Sequence, residues 1–135
     1  MNKFLFPALP PSSPYAWSTC ESVCSSRIRL VDLDDNALNV CRVTHGTSHN
    51  TVIPPPPTAD LSPYILPDKA WEAVYPQGSI NPKNHIPGGF GFYLAGPSDF
   101  SELLKGAKEV LFSYSVMFAS DWDWVKGGKL PGICQ

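Results

Sequence analysis

The chain has 135 residues and a mass of 14.8 kDa, room for one domain around one core. Its apolar share of 43 % and aromatic share of 12 % are those of a folded globular protein, not a disordered one. A net charge of −2 and a pI near 5.8 exclude bulk electrostatic attraction to nucleic acid or to an anionic membrane, and no run approaches the roughly 20 apolar residues that span a bilayer.

At the start, Pro7, Pro10 and Pro11 interrupt what would be the apolar core of a secretion signal, so no cleavable signal is expected in this sequence. Residues 12 to 26 are rich in Ser, Pro and Cys and read as loop, with a short strand around Tyr15 to Trp17. Between Arg27 and Val43, Ile28, Leu30 and Leu33 alternate, then Leu38, Val40 and Val43. This predicts two strands joined as a hairpin by Asp34-Asp35-Asn36. Pro54 to Pro57 lack backbone donors and form an extended surface linker.

Ala70 to Tyr75 reads as a strand closed by the turn chemistry of Pro76-Gln-Gly-Ser, residues 81 to 89 as a loop, and Phe90 to Leu94 as a strand ended by Gly96-Pro97. Ser98 to Lys108 is the one helical stretch, with Ser98 or Ser101 as N-cap and Phe100, Leu103, Leu104 and Ala107 on one face. The clearest period of two runs from Glu109 to Phe118, where Phe112, Tyr114, Val116 and Phe118 share one face. Acid and tryptophan then alternate from Asp121 to Lys126 before a turn at Gly127-Gly128. Short strands at turn-bounded intervals predict an all-β sandwich or barrel. Nearly all of the 15 prolines fall before Pro97, with the long β-rich run after it, and residues 1–70 are expected to be largely irregular, with residues 71–135 as the second part.

Cys20, Cys24, Cys41 and Cys134 allow two disulfides in three pairings, and their spacing selects none. With His45 and His49 the first three offer zinc-ligand atoms, but not at the spacing of a finger, and no metal site is assigned. His45, His49 and His85 read as surface loop residues, and Tyr114 as a core residue. Trp122, Trp124 and Lys126 share parity and line one face if that segment stays regular, where tryptophans either stack on sugar rings or fill the core.

The segment Val125-Lys-Gly-Gly-Lys-Leu-Pro-Gly132 resembles polysaccharide lyase family 14, the alginate and glucuronan lyases. Ala73-Val-Tyr-Pro-Gln-Gly-Ser79, Asn81-Pro82 and Gly88-Gly-Phe-Gly-Phe-Tyr93 are similar to the family's opening strands, in the same order; Leu5-Phe-Pro and Trp17-Ser-Thr resemble the start of its domain. The resemblance implies a jelly-roll β-sandwich whose concave face binds an acidic polysaccharide, no cofactor, and an extracellular setting. It also implies a catalytic lysine, either Lys126 or Lys129; Gly127 and Gly128 between them have no side chains and would let a sugar approach closely, and Trp122 and Trp124 are the candidates to contact it if they do not fill the core. The likeness ends after Gly132, before the Ser-x-Arg and Tyr-x-Tyr groups of the family, so an incomplete jelly roll without activity is the expectation for these 135 residues.

Three functions follow for testing: a uronate-specific lyase acting by β-elimination, a non-catalytic carbohydrate-binding remnant, and a small Cys/His metal-binding or interaction protein built on residues 20 to 49.

Overall fold

The computed structural model describes residues 15–44, 46–56, 67–124 and 129–133. Their regular structure is mostly strand with one short helix, and no barrel closes. The strands are β1 (Trp17–Ser18), β2 (Arg29–Leu30), β3 (Val40–Thr44), β4 (Thr51–Val52), β5 (Ala70–Trp71) and β6 (Gly91–Leu94), and the helix is α1 (Ser98–Leu104). A single 3-10 turn, Glu21–Val23, separates β1 from β2.

The strands form three two-stranded ladders: β1 with β2, parallel; β3 with β6, antiparallel; and β4 with β5, antiparallel. Two of these ladders join the chain before the proline run to the chain after it. The β3–β6 register runs from Val40 opposite Leu94 to Thr44 opposite Gly91, and it shifts between Cys41 and Thr44. Arg42 takes φ +50° inside that shift and lies over the Tyr93 ring at 5.5 Å, as a bulge that re-aims one side chain would place it.

The hairpin expected over residues 27–43 does not form, although both strands and the turn exist. Asp34 Oδ1 accepts from the backbone N–H of Asn36 and Ala37, and Leu38 N–H and Val40 N–H donate to the carbonyls of Asp34 and Asp35. These local bonds make a tight coil, and Asn39 at φ +48° turns the chain out of it, so β2 and β3 leave for different partners. Asn39 Nδ2 then ties the exit to the Gly96 carbonyl at 2.8 Å.

Other expectations are corrected in the same way. Only Ala70–Trp71 of the segment 70–75 is strand, and the helix stops at Leu104 with Pro97, not a serine side chain, at its N-cap. Residues 109–118, the clearest alternation in the sequence, form no strand, and the large apolar residues of both their faces are exposed. Alternation fixes which side chains share a face, but a strand also needs a hydrogen-bonding neighbour, and none of the described residues supplies one. Four of the six described strands lie between residues 17 and 52, three of them at or next to the short strands expected around residues 15–17 and 27–43, in a part of the chain expected to be largely irregular overall.

Burial is thin. Leu38, 1 % exposed, is the fully buried apolar side chain among the described residues. Close by in the fold, Gly96 abuts Phe100 and Trp17, and Trp17 meets Phe100 edge-on at 5.9 Å. An exposed clasp closes this corner: Arg29 bonds both carboxylate oxygens of Asp99 at 3.0 and 3.3 Å and the Tyr15 hydroxyl, which itself donates to Asp99 at 2.9 Å. The Arg29 hydrogen bond is the main reason the Asp99 carboxyl titrates below its ordinary value.

Candidate functional site

Of the residues singled out in the sequence, Lys126, Gly127 and Gly128 lie outside the described residues. Lys129 is exposed. The described part of the acid and tryptophan run, Asp121 to Trp124, is not strand; Trp122 N–H closes a turn onto the Ala119 carbonyl. Both tryptophans nevertheless reach one ring. Trp122 and Trp124 lie 5.4 and 4.6 Å from Phe118, and Trp122 meets Tyr75 edge-on at 5.6 Å. Trp122 is half-buried in this group and Trp124 is 71 % exposed, so Trp124 offers an indole surface to solvent just before the lysine motif.

Tyr75 is held in that group by its other neighbours. Gly89 sits at φ +67° directly against the Tyr75 ring and hydroxyl, where a Cβ would collide, and Gly89 N–H donates to the Val74 carbonyl at 2.7 Å. The paired glycines 88 and 89 thus let two backbone segments and a tyrosine share one place.

A second constellation was not legible in the sequence. His49, in the β3–β4 connection, has only 17 % of its side chain exposed, and its Nε2 lies 3.0 and 3.1 Å from the two carboxylate oxygens of Asp35. Three aromatic rings hold the imidazole: Trp71 of β5 edge-on at 6.0 Å, Phe90 at 5.3 Å and Phe92 of β6 at 5.1 Å. The turn at Asp34-Asp35, the run Gly46 to Thr51 and Trp71 then wall a cleft of about 510 Å³. Sequence reasoning placed His49 among exposed loop histidines. Its partner is 14 residues away, and its aromatic support comes from strands beyond the proline run.

The remaining candidates carry less. Cys24 and Cys41 are free thiols, and Cys134 and His45 lie outside the described residues. Among the described residues no cluster of three or more His, Cys, Asp or Glu is arranged to hold a metal ion. Burial, together with Cys20 and Glu21 nearby, raises the Cys24 thiol above its ordinary value and keeps it protonated. Tyr114, expected in the core, is exposed beside Phe112, and His85 is exposed in its loop.

The family model described as polysaccharide lyase 14 matches residues 67–135, just over half of the chain. The chain belongs to the polysaccharide lyase 14 family. The matched part is the C-terminal half of this chain. It contains β5, β6, α1, the tryptophans and the whole Lys126 to Gly132 motif, while Leu5-Phe-Pro and Trp17-Ser-Thr fall outside it. No curated protein and no solved structure matches the chain. Among the described residues no helix is long and apolar enough to cross a membrane.

Proposed function

We propose that residues 121–132 of this polysaccharide lyase 14 member form part of a site for β-elimination on a uronate-containing glycan of the alginate or glucuronan type. The observation that carries the proposal is the family match, which includes Lys126-Gly-Gly-Lys129, two residues after the exposed Trp124. Elimination removes the proton at C5 of the uronate and expels the glycosidic oxygen at C4, which needs the C6 carboxylate neutralised, a base for the proton and an acid for the leaving oxygen. A lysine serves as the neutralising cation, or as the base where desolvation or a second cation lowers its pKa.

In this reading Lys126 and Lys129 are the catalytic pair, Gly127 and Gly128 let the sugar approach the backbone, and Trp124 stacks on a ring with Trp122 supporting it through Phe118. The jelly-roll sandwich of the family belongs to the same proposal, with residues 71–135 as its lyase part; the regular structure of the described residues as a whole, mostly strand with one short helix, is compatible with it. Two lysines fill two of the three roles, so the 135 residues alone are expected to hold oligouronate without turning it over.

The test is a titration with alginate and glucuronan oligomers, followed both by binding and by the ultraviolet absorbance of the unsaturated uronate product. Binding that falls at least about tenfold in Lys126→Ala or Lys129→Ala supports the site, since a charge-assisted contact is worth roughly 1.5–3 kcal/mol. Binding indifferent to both substitutions removes the motif from the mechanism, and turnover by this chain overturns the argument from roles. The exposed Trp124 also favours a second reading, a binding module without catalysis. In that case Trp124→Ala abolishes binding while both lysine variants keep it.

A further inference from the structure

The cleft beside His49 lies apart in sequence from the lysine motif, and most of its wall comes from residues 34 to 51, outside the family match. It is an open cleft with a volume of about 510 Å³, which leaves one side of any ligand facing solvent. The lining is unusual for a protein acting on anions. It has the carboxylates of Asp34 and Asp35, the hydroxyls of Thr44, Thr47, Ser48 and Thr51, the Asn50 amide, the His49 imidazole and the Trp71 indole, with no Lys or Arg among the described residues.

Several of these groups are already fixed. Asp35 holds His49, Asp34 Oδ1 caps its own turn, and Thr47 Oγ1 lies 3.1 and 3.2 Å from the Gly89 and Val74 carbonyls. The wall is therefore preorganised, because a hydrogen-bonded carboxylate, a held imidazole and an indole wedged at 4.9 Å against Phe92 do not need to be ordered by a ligand. Ser48 and Asn50 make no side-chain hydrogen bond among the described residues and stand exposed at the rim.

We propose that this cleft binds a neutral hexose residue of a glycan, as a site separate from the lysine motif. Carboxylate and amide oxygens accept from sugar hydroxyls, the serine and threonine hydroxyls work in both directions, and the indole covers the C–H face of the ring. Among the described residues a uronate meets two aspartates there and no Lys or Arg, which disfavours its carboxylate relative to a neutral sugar. The protein would thereby carry two chemically different sugar sites, one for an anionic residue at the lysines and one for a neutral residue here. The inference goes beyond the lyase reading and stands without it.

The test is an amide and indole NMR titration of the full 135-residue chain with three neutral hexaoses, of glucose, mannose and galactose, and with a glucuronate oligomer of the same length. At least one neutral hexaose is expected to shift the Trp71 indole and Asn50 amide signals saturably. Asn50→Ala, a change at an exposed side chain that leaves the fold intact, weakens that binding by about 3- to 10-fold, the worth of one neutral hydrogen bond. Trp71→Phe weakens it further, while Lys129→Ala leaves it unchanged. The proposal is overturned if no neutral hexaose moves these signals, if Asn50→Ala has no effect, or if the glucuronate oligomer fills the same cleft as tightly. Loss of glucuronate binding in Lys129→Ala is read from different signals, so failure of the lysine site and failure of this one are told apart.

Discussion

Leu38→Ala is the sharpest probe of how this fold is held. Leu38 is 1 % exposed and is the fully buried apolar side chain among the described residues, at the point where its carbonyl accepts from Gly96 N–H at 3.0 Å. Removing a buried leucine beyond Cβ forfeits its transfer free energy and leaves a cavity, together about 2–5 kcal/mol. With so little other burial to share the load, about 3 kcal/mol is expected, a change on the order of 100-fold in the folded-to-unfolded ratio. Leu111, 53 % exposed, provides the control, and Leu111→Ala is expected to stay within about 0.5 kcal/mol. The assay is urea unfolding followed by tryptophan fluorescence, because Trp17 sits in the adjoining cluster with Phe100 and Gly96. Equal costs for the two substitutions, or a Leu38→Ala midpoint at the wild-type value, would refute the claim that this corner carries the stability.

Two further outcomes are expected. Gly89→Ala places a Cβ at φ +67° against the Tyr75 ring and should cost about 1–3 kcal/mol in thermal melts. Gly106→Ala, with nothing within 4 Å, should be neutral or slightly stabilising. The Asp99 carboxyl is lowered from 3.8, first by its hydrogen bond to Arg29 and also by the one from Tyr15, so its contribution is complete above that value and fades as pH falls through the lower folded one. Asp99→Asn should therefore lower the unfolding midpoint at neutral pH, converge on the wild type as pH falls below about 4, and so flatten the acid limb of the stability profile, read from unfolding midpoints across a pH series.

The sequence by itself determined what depends on local chemistry. Asp34 caps a turn because its side chain reaches the N–H groups two and three residues on. A short helix starts at Ser98 beside Pro97, and Gly91 to Leu94 is strand. Family membership was legible too, because Lys126 to Gly132 and the runs around Val74 and Gly88 are contiguous motifs that need no partner to be read.

Only the tertiary structure decided who pairs with whom. The alternation at 109–118 is better than that at 40–44, yet β3 found β6 while 109–118 found no partner among the described residues, because a period of two encodes a face and not a neighbour. The same limit hid the cleft. His49 looked like one more polar loop residue until Asp35, 14 residues before it, and Trp71, Phe90 and Phe92, from 22 to 43 residues after it, closed around its ring. Those contacts depend on the β3–β6 and β4–β5 ladders bringing distant segments together, and no spacing along the chain records that.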